Sequence, residues 1–118
     1  MRMWMIDPKL LCNKHLIGEH GEIHKHRHNF VKHHKISGRI KPVVQISPYL
    51  MEERHNELVT EMSRRDINHK SPYELPDLSY LSDDERCADV DVEISKKDLE
   101  DRCVKCAINI FSNNNLFN

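Results

Sequence analysis

At 118 residues the chain has room for one domain, because two would each be too small to bury a stable core. Its 38% hydrophobic and 31% charged residues suit a soluble domain, and no apolar run approaches the roughly 20 residues of a membrane span. The net charge of −1 hides a segregation: residues 1–47 carry nine Lys/Arg against three acids (+6), and residues 48–118 carry nine against sixteen (−7). Seven of the nine histidines lie in the basic half. Such a half offers a polyanion a place to bind, although a solvated basic helix with no partner has the same composition.

The opening MRMWMI is interrupted by Asp7-Pro8, too early for the roughly 7–15 apolar residues of a signal-peptide core, so the mature chain is expected to begin at residue 1 or 2. Asp7-Pro8 reads as a helix start, an N-cap followed by proline. That first helix is expected to run to about Ser37-Gly38, weakened in its middle by Gly18 and Gly21, which invite a close approach from another group. A second helix opens at Ser47-Pro48, places Glu52 and Glu53 in its first turn, repeats Met51, Leu58 and Met62 at helical spacing, and fades near Arg64-Arg65-Asp66. SPYELPDLSYLSDDERCADVD (71–91) reads as a long ordered loop. A third helix is expected from Ser95, with Ile94 and Leu99 as a hydrophobic staple, to about Cys106 or Ile110. The fold class is therefore all-α: one domain of about three helices with long irregular connections, spanning residues 1–111, with a polar, frayed tail over 112–118.

Cys12, Cys87, Cys103 and Cys106, without a secretory signal, suggest reduced thiols in a cytosolic setting. Cys103 and Cys106 form a C-x-x-C, half of a zinc site or a redox pair; a four-cysteine site needs the first helix, the loop and the third helix to converge. His15, Glu19 and Glu22 stand at i, i+4 and i+7 and share a helix face, flanked by Lys25 and His26. A carboxylate held ionised among cations is poised to take a proton, but the same pattern also describes an ion-pair network on a solvent face. Two zinc-enzyme readings fail. His20 and His24 have helical metal spacing, but Glu22 lies about 200° round the helix from His20 and cannot serve that metal. Pairing His20-Gly21-Glu22 with the C-x-x-C resembles a deaminase motif, yet Arg102 stands where its proline belongs. A histidine-rich metal binder using His20, His24, His26 and His28 remains an alternative, as does a non-catalytic basic DNA-binding module.

HLIGEHGEIHKH (15–26) resembles the first-helix motif His-Leu-x-x-Glu-x-x-Glu of the phage-type endonuclease V family, the pyrimidine-dimer DNA glycosylase/lyases. RHNELVTEMSRRDINH (54–69) resembles that family's second helix, ISKKDLEDRC (94–103) its third, and the ISP of residues 46–48 falls where the family has that tripeptide. The opening MRMWMIDPKLLC and closing C-x-x-C are similar to a shorter cellular branch. The resemblance implies an N-terminal segment packed between helices, an enzyme that removes damaged pyrimidines and cuts the strand, and a nucleophilic α-amine partnered by the second motif glutamate. Carried over, these are Met1 and Glu22. The family's phage form attacks with a Thr amine after losing its initiator Met; here Arg2 should block removal, and the ungapped register puts Met1 in that Thr's place. Arg2, Lys25, Lys32 and Arg102 match phosphate-gripping positions, and His15 matches one that helps hold the abasic sugar. Gly21 departs from the family, which has Arg immediately before the catalytic glutamate. The resemblance further implies a DNA-associated cytoplasmic monomer acting on duplex DNA with pyrimidine damage, with no membrane partner, cofactor or metal.

Overall fold

Five α-helices and no β-strand make up the described part of the chain, residues 2–68 and 72–115 of a computed structural model. They are α1 (Asn13–Val31), α2 (Met51–Arg64), α3 (Asp83–Arg86), α4 (Val92–Arg102) and α5 (Val104–Asn115), with 3-10 turns at Pro8–Leu10, Ser37–Arg39 and Pro48–Leu50. The all-α expectation holds, with two helices beyond the three expected. Among the described residues no helix is long and apolar enough to cross a membrane.

The first helix starts later and stops earlier than its sequence suggests. Asp7 caps only a 3-10 turn, its Oδ1 accepting from the Lys9 N–H at 3.0 Å. Leu11 and Cys12 are then extended, which lets Leu11 bury completely, and α1 begins at Asn13. At the other end His33 takes the left-handed conformation (φ 57°), and the His34 N–H reaches the Asn29 carbonyl at 2.8 Å. Tight closure of this kind normally uses glycine; here Gly38 lies beyond the end, in the 3-10 turn. Asp66 (φ 60°) closes α2 the same way, with Ile67 N–H on the Met62 carbonyl at 2.8 Å.

α2 buries Met51, Arg54, His55, Leu58, Glu61 and Met62, the stripe that packs it on α1. Glu61 collects both following arginines: hydrogen bonds from Arg64, and then the charge and hydrogen bond of Arg65, outweigh burial and hold its carboxyl down to about 2. Arg65 also reaches Asn13 Oδ1 at 2.8 Å, tying the end of α2 to the start of α1.

The expected loop contains α3, which the sequence marks with Ser82 and Glu85: a capping box in which the Glu85 N–H donates to Ser82 Oγ at 3.2 Å. The expected third helix is two helices. Asp91, rather than Ser95, caps α4, accepting from the Glu93 and Ile94 N–H groups, and Ile94 is half exposed, so no Ile94–Leu99 staple forms. Cys103 is extended and breaks α4 from α5. α5 continues through Asn115, beyond Ser112 where the sequence suggests a tail; residues 116–118 lie outside the described residues.

The N-terminal segment threads between these helices, as expected. Met3, Trp4 and Ile6 are buried. Met3 N–H donates to the Gln45 carbonyl (2.8 Å), Ser95 Oγ–H to the Trp4 carbonyl (2.7 Å), and Arg54 Nη1 to the Ile6 carbonyl (2.8 Å).

Arg54 and Glu19 are both fully buried, with Arg54 Nε 2.6 Å from Glu19 Oε2 and Nη2 3.0 Å from Oε1. Removing one partner strands the other's charge, so Arg54→Met is expected to lower unfolding free energy by about 3–5 kcal/mol, read by urea titration, with Glu19→Leu in the same chain restoring part of it. A second expectation concerns His26. It is buried, and neither ring nitrogen has a hydrogen-bond partner among the described residues. Burial, reinforced by the charges of Arg39 and Lys25, pushes its imidazole down to about 4. The unfolded chain, with the ordinary value of 6.5, binds the extra proton first as pH falls. The contribution is therefore fully present above 6.5 and drains away between 6.5 and about 4, by up to roughly 3 kcal/mol. His26→Leu should flatten that part of the stability–pH curve.

Candidate active site

Adjacent turns of α1 carry two glutamates in opposite circumstances. Glu19 spends both oxygens on the Arg54 guanidinium, which stays charged: burial opposes the charge, but the hydrogen bonds and negative charge of Glu19 more than offset it. Glu22, one turn on, is half-buried, and its Oε2 is shielded from solvent with no hydrogen-bond partner among the described residues. A buried carboxylate oxygen without a donor is costly. Of the pair, Glu22 is the one with a carboxylate oxygen that no described donor reaches.

Glu22 opens into a cleft of about 180 Å³ lined also by Arg2, Trp4, His15, Gly18 and Glu19. Gly18 lines the cleft without a side chain, and a Cβ there would meet only open space. Trp4 forms another wall, with the Arg2 guanidinium 5.5 Å over its ring and His15 edge-on at 5.9 Å. Larger clefts exist, of about 710 Å³ beside Cys12 and Arg102 and about 380 Å³ beside His24 and Arg27, but neither contains the unpartnered carboxylate. The unpartnered carboxylate lies in the smallest of the three.

The structure brings Arg2, His15 and Glu22 together at this cleft. Arg102 joins them indirectly: Arg2 Nη1 and Arg102 Nε each lie 3.1 Å from a different oxygen of Asp98. Lys25 on α1 and Lys32 at its C-cap are exposed and do not line the cleft. Met1 lies outside the described residues; Arg2, bonded to it, lines the same cleft as Glu22. Sequence reasoning missed Arg54 and Trp4. Arg54 lies within the second-helix block, but only the fold reveals that it neutralises Glu19, and Trp4 looked like part of an apolar run.

The histidines sort differently from the expected metal binder. His20 and His24 do meet, Nε2 to Nε2 at 3.2 Å, but their third neighbour is His55 of α2, 3.1 Å from His24 Nε2. His26 faces the core and stacks on Phe30, while His28 is exposed. Neither joins the three-imidazole group. A second group that can hold a metal consists of Cys12, His15, Cys103 and Cys106, and exposed Cys87 stands apart from it.

Comparison with curated proteins and with solved structures returns no match. A family model described as pyrimidine dimer DNA glycosylase matches residues 1–75, the stretch that supplies the N-terminal segment, α1, α2 and every residue lining the cleft around Glu22. With well over half its length matched, the chain belongs to the pyrimidine dimer DNA glycosylase family.

Proposed function

We propose that this chain excises cyclobutane pyrimidine dimers from duplex DNA and then cleaves the strand, acting as a glycosylase with associated AP-lyase activity. The observation that carries this reading is the contrast between Glu19, saturated by Arg54, and Glu22, whose Oε2 is buried without a donor in a cleft that also holds residue 2.

The nucleophile is the α-amine of Met1. An α-amine titrates near 7.7–8, so roughly a tenth of it is neutral at pH 7, against far less of an ordinary lysine. The neutral nitrogen attacks C1′ of the damaged nucleotide; the C1′–base bond breaks and its electron pair leaves with the base, which takes up a proton. Glu22 stabilises the positive sugar as that bond lengthens. Loss of an amine proton and opening of the sugar ring give the protonated imine. A proton then leaves C2′ with the help of the Glu22 carboxylate, and the 3′ phosphate departs by β-elimination. Hydrolysis of the imine returns the amine. His15 holds the sugar, and Arg2, Lys25, Lys32 and Arg102 grip phosphates, with Arg2 and Arg102 exchanging Asp98 for the backbone. Their sum makes binding steeply salt-dependent.

Borohydride should trap a covalent complex between the protein and ultraviolet-irradiated or abasic duplex. Reductive methylation of the N-terminus should abolish trapping, and Glu22→Gln should slow strand cutting by at least about 100-fold. Salt-sensitive binding with no trapped complex would instead identify a non-catalytic DNA-binding module. The two glycines give an internal control. Gly18→Ala and Gly21→Ala both enter open space and should each firm α1 by about 1 kcal/mol. Only Gly18 lines the cleft, so only Gly18→Ala should impair trapping.

A further inference from the structure

Two stretches about ninety residues apart in sequence meet where α1 begins and where α4 breaks from α5. Cys12 and His15 come from one, Cys103 and Cys106 from the other. One ligand atom of each lies within 4.8 Å of all the others. Cys12 Sγ is 3.1 Å from His15 Nδ1 and 3.8 Å from Cys103 Sγ, and Cys106 Sγ is 3.7 Å from His15 Nδ1. A tetrahedral zinc ion, with bonds near 2.3 Å to sulfur and 2.0–2.1 Å to imidazole, requires edges of about 3.8 Å between sulfurs and about 3.6 Å between sulfur and nitrogen. The Cys12–Cys103 and Cys106–His15 edges already have those lengths, the Cys12–His15 edge is shorter, and every other edge is within 4.8 Å.

We infer that Cys12, His15, Cys103 and Cys106 form a closed structural zinc site that fastens α5 to the start of α1. Three observations besides the distances support it. The donors come as two short knuckles, C-x-x-H and C-x-x-C, each presenting its pair from one turn of chain. Backbone amides point at the sulfurs, Cys12 N–H to Cys106 Sγ at 3.2 Å and Cys106 N–H to Cys103 Sγ at 3.5 Å, the outer-shell contacts that hold thiolate ligands in place. The set has three sulfurs, one imidazole and no carboxylate, which selects zinc over magnesium, calcium or manganese. Three thiolates around a divalent ion leave one net negative charge, and Lys14, Arg102 and Lys105 line the adjoining cleft to offset it.

Four protein donors leave no position for water, so the ion takes no part in the glycosylase reaction. Its effect on the cleft is indirect. Ligation through Nδ1 keeps the His15 proton on Nε2 and fixes the ring that packs edge-on against Trp4. It also explains the break in the helix: Cys103 leaves helical geometry and its sulfur meets Cys12.

The test is metal content of the purified full chain, followed by cobalt substitution. About one equivalent of zinc is expected, and the cobalt form should show the intense visible bands of a tetrahedral site together with sulfur-to-cobalt charge transfer. Cys103→Ser and Cys106→Ser should lose the ion, while Cys87→Ser and His24→Ala should keep it. The proposal is overturned by a metal-free protein that fails to take up cobalt, by cobalt spectra lacking sulfur charge transfer, or by an ion that survives Cys103→Ser and is lost in His24→Ala, which would place it on His20, His24 and His55. Should either serine variant fail to fold, the spectrum of the unaltered protein decides alone.

Discussion

The arrangement depends on one buried guanidinium. Arg54 meets Glu19 of α1 through two of its nitrogens and the Ile6 carbonyl through the third, so one side chain of α2 fixes a helix and the N-terminal segment at once. Desolvating such a pair is expensive, and an apolar pair of similar volume often serves stability as well or better. Its value here is geometric: it holds residues 2–6 against the face of α1 that bears Glu22. That an expensive device occupies this position is consistent with a site whose reactants must be positioned to within a fraction of an ångström.

The same interaction divides labour between two chemically identical residues. Glu19 and Glu22 differ in sequence position by three and in environment completely. One is neutralised by a fixed cation, the other has an oxygen out of water and out of reach of any described donor. Environment, not residue type, separates the two carboxylates. The histidines teach the same lesson: His15 turns to sulfurs, His24 to other imidazoles, and His26 to the core.

The all-α class, the two long helices and the shared face of His15, Glu19 and Glu22 were legible because helical periodicity is a local signal, whereas Pro8 and Pro48 mark 3-10 turns ahead of the helices. The errors occurred where tertiary contacts override local preference. The break at Cys103 has no glycine or proline to announce it; the residue's sulfur meets a partner 91 positions away. His33 and Asp66 end their helices in a conformation that glycine adopts more easily, with a backbone amide just beyond each closing back on the last turn. α3 was visible as an S-x-x-E capping box, but four helical residues among prolines and aspartates read as loop. Arg54 was inside a recognised block; what no local pattern reveals is which acid it meets.

The segment from Met3 to Ile6 is gripped by its peptide groups as well as by its buried side chains: an amide on Gln45, a carbonyl under Ser95 and another under Arg54. Contacts of that kind are indifferent to the side chain each residue carries and strict about how many residues separate them. Over evolutionary time such a segment can exchange one buried apolar residue for another of similar shape while forbidding any gain or loss of one, because a single inserted residue shifts everything upstream by about 3.3 Å or more. Spacing is the constrained property here, and it fixes the count of residues between Met3 and the first helix more tightly than the letters between them.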